Sequence, residues 1–147
     1  MTSPTFYSFR TILEEKVASY LSGIFPTIAV HKGVTDEVRV LPIIIGHAES
    51  SHAVTDLGSN TLGNYTVTFK LYVYSSADDE TLDAHRERVA GVIGAMRDVP
   101  ALQALWDPAV DGKLYDLWIT NDEEGMSQRR YGNVIEYMVW GVLPPTP

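Results

Sequence analysis

Four side chains within ten residues, His47, Glu49, His52 and Asp56, carry imidazole or carboxylate groups able to ligate a metal. A zinc centre needs three or four such donors converging at about 2 Å. The spacing here is H-x-E-x-x-H. The metalloprotease pattern is H-E-x-x-H, which sets two imidazoles on one face of a helix, and this segment has no helical periodicity. A solvated polar loop is therefore the expectation. A small metal-dependent enzyme or binding domain built on His47 and His52 is the alternative of a different class. His31 falls at the end of a short strand. His85 falls on or beside the buried face of a helix, where a hydrogen-bonded, partly buried histidine is expected.

No other constellation suggests catalysis. The glycines are scattered and no G-K-[ST] triplet occurs, so no phosphate loop is formed. Gly58-Ser59 lies outside any G-x-S-x-G elbow. With zero cysteines, thiol catalysis, disulfides and cysteine-ligated metals are excluded. The chain reads as a non-enzyme without metal or cofactor.

Two acidic clusters remain. Asp78-Asp79-Glu80 precedes a helix and complements its dipole. Asp122, Glu123 and Glu124 lie in a polar stretch, Asn121 to Gln128, expected as a solvated hairpin tip. Arg129 and Arg130 follow directly, so the tip is bipolar, a form suited to pairing between subunits. Tyr72, Tyr74, Trp118 and Trp140 fall on strand faces opposite, or alternating with, the more apolar rows. A second face carrying large aromatics needs a cover, either a helix or another subunit.

The bulk numbers agree with an assembly role. The 147 residues allow one domain. Hydrophobic residues are 45% and charged residues 20%, which excludes general disorder and a coiled-coil rod. Eleven Lys and Arg against nineteen Asp and Glu leave a net charge of −8. That balance argues against tight nucleic-acid binding, which depends on neutralising phosphates, and against adhesion to an anionic membrane. No apolar run approaches the roughly 20 residues of a membrane span. The opening residues show no signal-peptide pattern.

The elements that position these residues follow from periodicity. Phe6, Phe9, Leu13, Val17, Leu21 and Ile24 recur at steps of three and four and predict a helix, with Ser3 and Thr5 as caps and Gly23 and Pro26 as the stop. Thr27 to His31 predicts a short strand. Val38 to Ile45 predicts another, which Pro42 makes either an edge strand or a strand with an irregular start. His47 to Asn64 is expected as a long polar loop, with Ala53-Val54-Thr55 able to extend a hairpin. Tyr65 to Tyr74 alternates cleanly and is the best strand signal. Leu82 to Met96 predicts a helix and Pro100 to Trp106 a shorter one. Lys113 to Thr120 and Arg129 to Val142 predict two strands, and residues 144–147 an extended Pro-rich tail. The sum is one α+β domain, a mixed or antiparallel sheet of about five strands flanked by an N-terminal and a central helix.

Four stretches together resemble the phage tail-terminator, or tail-completion, family of tail-to-head joining proteins. They are the opening helix Phe9 to Leu21 with Pro26 to Val30; Leu41-Pro42-Ile43-Ile44-Ile45-Gly46; Asn64 to Ser75 running into the helix Leu82 to Met96; and Arg130 to Trp140. The resemblance spans about Phe6 to Val142. It implies a structural protein of the virion, assembled in the host cytoplasm. Such a protein forms a homo-oligomeric ring, a hexamer in the family, on the head-proximal end of a tail tube. There it stops tube growth and meets the head connector, while DNA passes through the lumen without specific binding. Another neck or tube ring protein is the neighbouring alternative. Under this reading His47, Glu49, His52 and Asp56, with Asp122, Glu123, Glu124, Arg129 and Arg130, are expected at subunit or partner interfaces.

Overall fold

The computed structural model describes residues 9–33, 40–53 and 64–143. Three helices and five strands follow in the order α1 (Phe9–Ile24), β1 (Ala29–Lys32), β2 (Ile43–Ala53), β3 (Asn64–Ser76), α2 (Leu82–Met96), α3 (Val99–Gln103), β4 (Lys113–Ser127) and β5 (Arg130–Val142). The sheet order is β1-β2-β3-β5-β4. β1 runs parallel to β2 and every other pairing is antiparallel. The fold is α+β, with a mixed five-stranded sheet, as its patterning suggests.

All three helices pack on one face of the sheet. The stripe of α1 buries Phe9, Leu13, Val17 and Leu21, and also Ile12, against Val67, Phe69, Leu71 and Val73 of β3 and Ile135, Tyr137 and Val139 of β5. Val89, Val92 and Met96 of α2 and Leu102 of α3 join the same core. Ile24, at the end of the predicted stripe, is exposed instead. Residues 1–8, including the expected caps Ser3 and Thr5, lie outside the described residues. Thr81 caps α2, its Oγ1 accepting from Ala84 N at 3.1 Å. Asp98 caps α3, its Oδ1 accepting from Ala101 N at 3.2 Å. Gly141 sets the closeness of α1 to the sheet. A Cβ there would overlap the Phe9 ring and stand 2.8 Å from the Lys113 carbonyl.

Three expectations change. β2 begins at Ile43, just after Pro42, and lies between β1 and β3, so it has the irregular start and is not an edge strand there; residues 38 and 39 lie outside the described residues. The expected loop His47 to Asn64 is strand over His47 to Ala53, paired with Tyr65 to Lys70 of β3 around a bulge at Ala48/Ser50. The backbone ladder holds these polar residues although their side chains carry no apolar alternation. The rest of the expected loop, 54–63, and the Pro-rich tail 144–147 lie outside the described residues.

The third change is at Asn121 to Ser127. It is strand, in register with Glu136 to Arg130, and the turn narrows to Gln128 and Arg129. Both have positive φ, 51° and 60°, as a tight right-twisted hairpin demands. Bulges at Leu114/Asp116 and Ile119/Asn121 reset the alternation of β4. Leu114 and Leu117 are therefore its buried residues, while Tyr115 and Ile119 are exposed.

Candidate assembly surface

β1 pairs with β2 only from Ala29↔Ile43 to Lys32↔Gly46. Beyond Gly46 the outer side of β2 is met by α1. Arg10 donates from Nε and Nη2 to the Ala48 carbonyl at 3.0 and 2.8 Å, and from Nη2 to the Glu49 carbonyl at 2.9 Å. Glu14 accepts from Ala48 N at 2.8 Å and lies 3.1 Å from His47 Nδ1. Helix side chains thus continue the ladder where the neighbouring strand stops, and this edge is blunted.

Two of the four possible metal ligands are accordingly engaged elsewhere. His47 faces Glu14, and Glu49 forms a 3.0 Å ion pair with Lys70, whose ammonium pKa it raises. His52 lies in β2 opposite Thr66, and Asp56 falls outside the described residues. Among the described residues no three His, Asp or Glu groups gather as a metal site.

Under α2 lies a buried polar chain. Arg88 forms a bidentate pair with Glu80 at 2.6 and 2.7 Å and donates to Ser75 Oγ at 2.5 Å. Ser75 Oγ lies 2.7 Å from His85 Nδ1, and His85 Nε2 lies 2.7 Å from Asn133 Oδ1. Asn133 Nδ2 donates to Asp122 Oδ1 at 2.7 Å. One tautomer satisfies every link, with Nε2–H donating to Asn133 and Nδ1 accepting from the Ser75 hydroxyl. Donors then point one way, from the Arg88 cation to the Asp122 carboxylate. Arg88 holds the Glu80 carboxyl below its ordinary pKa.

Ser75, His85 and Asn133 have the spacing of a nucleophile, a base and an orienting group. Ser75 and His85 are fully buried, and the Ser75 oxygen already accepts from Arg88. The chain therefore fastens α2 to β3 and β5 and offers no access to a substrate. His85 is the satisfied histidine its place on the helix suggests. Ser75 and Asn133 do not stand out by residue type alone. Their signal was present, because each polar side chain continues a buried apolar row, Ser75 after Val73 and Asn133 before Ile135.

The acidic residues of β4 divide by face. Asp122, itself exposed, ends the polar chain under α2. Glu124 takes both Arg86 nitrogens, at 2.8 and 2.9 Å, and its pKa falls accordingly. Glu123 is exposed, with Asn121 Nδ2 at 3.1 Å. Arg129 stands at the turn, 3.8 Å from Asp78. Arg130 lies over the Tyr74 ring at 5.4 Å, a cation–π contact. The basic residues sit at the tip as expected, but the acids lie along a strand.

The sheet face away from the core carries Tyr72, Tyr74 and Trp140. Tyr72 and Tyr74 stack with centroids 6.3 Å apart. Gly132 leaves room for the Tyr74 ring, which a Cβ there would meet at 3.1 Å. Tyr115 and Trp140 lie 4.8 Å apart. No described helix covers this face, and Tyr72, Tyr74 and Trp140 are half-buried by packing on one another and on the sheet. A cleft of about 320 Å³ opens beside Tyr74 between Glu123 and Arg130.

β4 is the open edge of the sheet, hydrogen-bonded among the described residues only to β5. From Trp118 to Ser127 every residue is exposed. Trp118 is 45% exposed and Met126 65%. On the helix side a second cleft, of about 250 Å³, separates β4 from α2 and α3. Tyr137 lines it, and its buried hydroxyl has no hydrogen-bond partner among the described residues. Burial, with the nearby Asp122 charge, pushes its phenol pKa up, so it remains a donor. Exposed aromatics and an unfinished strand edge can bury surface and pair backbone with another protein.

No family model matches the chain, and no curated protein matches it in sequence. Among solved structures it is similar to a chain from the virion of a native gene transfer agent particle. The TM-score is 0.56 at 15% identity, covering 92% of this chain and 98% of that one. A second solved chain, whose name states no role, gives a TM-score of 0.51 at 15% identity over 94% of this chain and 95% of the other. At this identity the likeness is one of fold, and it runs nearly the full length of both partners.

Proposed function

We propose that the protein is a structural component of a virion. It assembles with copies of itself into a ring at the head-proximal end of a tail tube, ends tube growth and joins the tube to the head connector. It does no catalysis. The observation that supports this reading is the end-to-end fold likeness to a chain of a gene transfer agent virion. The exposed β4 edge and the aromatic face give such assembly a surface. Tube and connector proteins are the partners, and DNA is the passenger. With a net charge of −8, a lumen lined by this chain repels phosphates and lets the genome slide. Reversing lumen-facing acids is expected to slow genome delivery, and unchanged infectivity would remove that part of the reading.

Imaging of immature tails mixed with the purified protein tests the function. Single rings capping one end of each tube are expected. Long filaments of the protein alone would make it a tube subunit. Bare tube ends would overturn the proposal.

A further inference from the structure

The turn that joins β4 to β5 holds backbone strain at an exposed point. Gln128 and Arg129 both have positive φ, 51° and 60°, and both are exposed. Left-handed backbone costs a residue with a Cβ about tenfold in the folding equilibrium, whereas glycine adopts it freely and asparagine more readily than most. Asparagine followed by glycine is a favoured pair for a turn of this length. Gln128 and Arg129 are neither.

Nothing their side chains touch among the described residues offsets that cost. The Arg129 carbonyl accepts from Ala77 N at 2.9 Å, a bond any residue at this position can make. Gln128 Oε1 accepts from Arg130 Nη2 at 3.3 Å on the surface. The Arg129 guanidinium makes no hydrogen bond among the described residues. It reaches the Asp78 carboxylate only at 3.8 Å, with the two side chains 81% and 61% exposed. An exposed pair of that kind returns less than about fivefold. Strained backbone that local contacts do not explain is a mark of a functional site.

We infer that this tip is a docking element, and that Arg129 of one copy presents its guanidinium to a carboxylate of the neighbouring copy. The inference rests on the self-assembly proposed above and names one of its contacts. Charge chooses the partner. Copies that each carry −8 repel one another, so a contact between them needs a cation not already engaged. Lys16, Lys32, Lys70, Arg86 and Arg88 each lie within 3.0 Å of a carboxylate of their own chain. Arg129 keeps its donors free, and its planar fork matches a carboxylate. Phosphate is the other anion such a fork takes. Affinity for nucleic acid depends on neutralising several phosphates, and one guanidinium beside Asp78 does not supply that.

Strain and docking are tested in one variant carrying both Gln128→Asn and Arg129→Gly. Its folding equilibrium constant is expected to rise at least fivefold in denaturant titration, while ring formation on tail tube ends falls at least tenfold by imaging. Unchanged or lower stability overturns the strain on which the inference rests. Higher stability with undiminished capping overturns the docking role. Arg129→Lys identifies the partner, because its amine can be joined by a carbodiimide to a carboxylate in contact with it. Copies carrying ordinary and heavy nitrogen are mixed on tube ends, so that a link between copies is told from one to Asp78 within a chain. Links between the introduced amine and a carboxylate of the other isotope are expected. Links confined to one chain, or made only to the tube protein, overturn the contact. Labelled duplex DNA that binds the unmodified chain and not the double variant would assign the tip to phosphate and overturn it too. The unmodified chain separates the two failures. If it caps tube ends and the double variant caps them equally, self-assembly stands without this contact, whereas an unmodified chain that leaves tube ends bare overturns both.

Discussion

The two sides of the β4–β5 hairpin are built in opposite ways. Beneath α2, polar groups from Arg88 to Asp122 are joined in one directed chain, and Ser75, His85 and Asn133 are buried. Along β4, among the described residues, the backbone is paired on one side, Trp118 and Met126 stand in solvent, and the Tyr137 hydroxyl is buried without a partner. Buried polar groups normally find partners, and the chain from Arg88 to Asp122 obeys that rule within one molecule. On the proposed reading, another molecule completes the β4 side. One region holds the fold together, and the other is, in that reading, the assembling one.

Substitutions can break that contrast. The largest effect is expected at His85. His85→Ala empties a fully buried site and orphans Asn133 Oδ1, for a loss of about 2–5 kcal/mol, read as a lower denaturant midpoint. Gly141→Ala comes next. Its Cβ has no room beside Phe9, and forcing α1 outward is expected to cost about 1–3 kcal/mol, measured in the same way.

The Glu80–Arg88 pair gives a smaller, pH-dependent effect. The Glu80 carboxyl is held below its ordinary value of 4.5 by Arg88. A lowered folded pKa means stability that is fully present above about pH 4.5 and lost as pH falls through the folded value. Glu80→Gln is therefore expected to flatten the acid side of the stability–pH curve, as read by denaturant titration at several pH values. Smallest of all is Trp118→Ala. Stability is expected to stay within about 0.5 kcal/mol, while ring formation on tube ends falls at least tenfold by imaging. A large loss of stability there would erase the distinction between the two sides.

The sequence made the covered parts of the fold legible and the uncovered parts obscure. β3 and β5 alternate because one face meets the core, and α1 shows its stripe for the same reason. His47 to Ser51 and Asn121 to Ser127 lack an apolar pattern because neither has a side packed into the core, apart from Ala48, and pairing with a neighbouring strand decides their structure. The candidate site was legible in its residue types, the bipolar tip and the spare aromatics. Its geometry was not. The acids moved from tip to strand, and Glu124 found Arg86 from 38 positions away. His85 could be read as buried, but its partners lie 10 and 48 residues distant. Only the polar interruptions in two apolar rows betrayed them.

Amide hydrogen exchange, compared between the free chain and the chain bound at tube ends, tests most directly whether assembly completes β4. The amides of Trp118 to Ser127 are expected to slow at least tenfold on assembly, with those of Val67 to Val73 in the middle of the sheet unchanged. Exchange along β4 that stays the same in rings on tube ends would contradict the division of the molecule into a finished side and an assembling one.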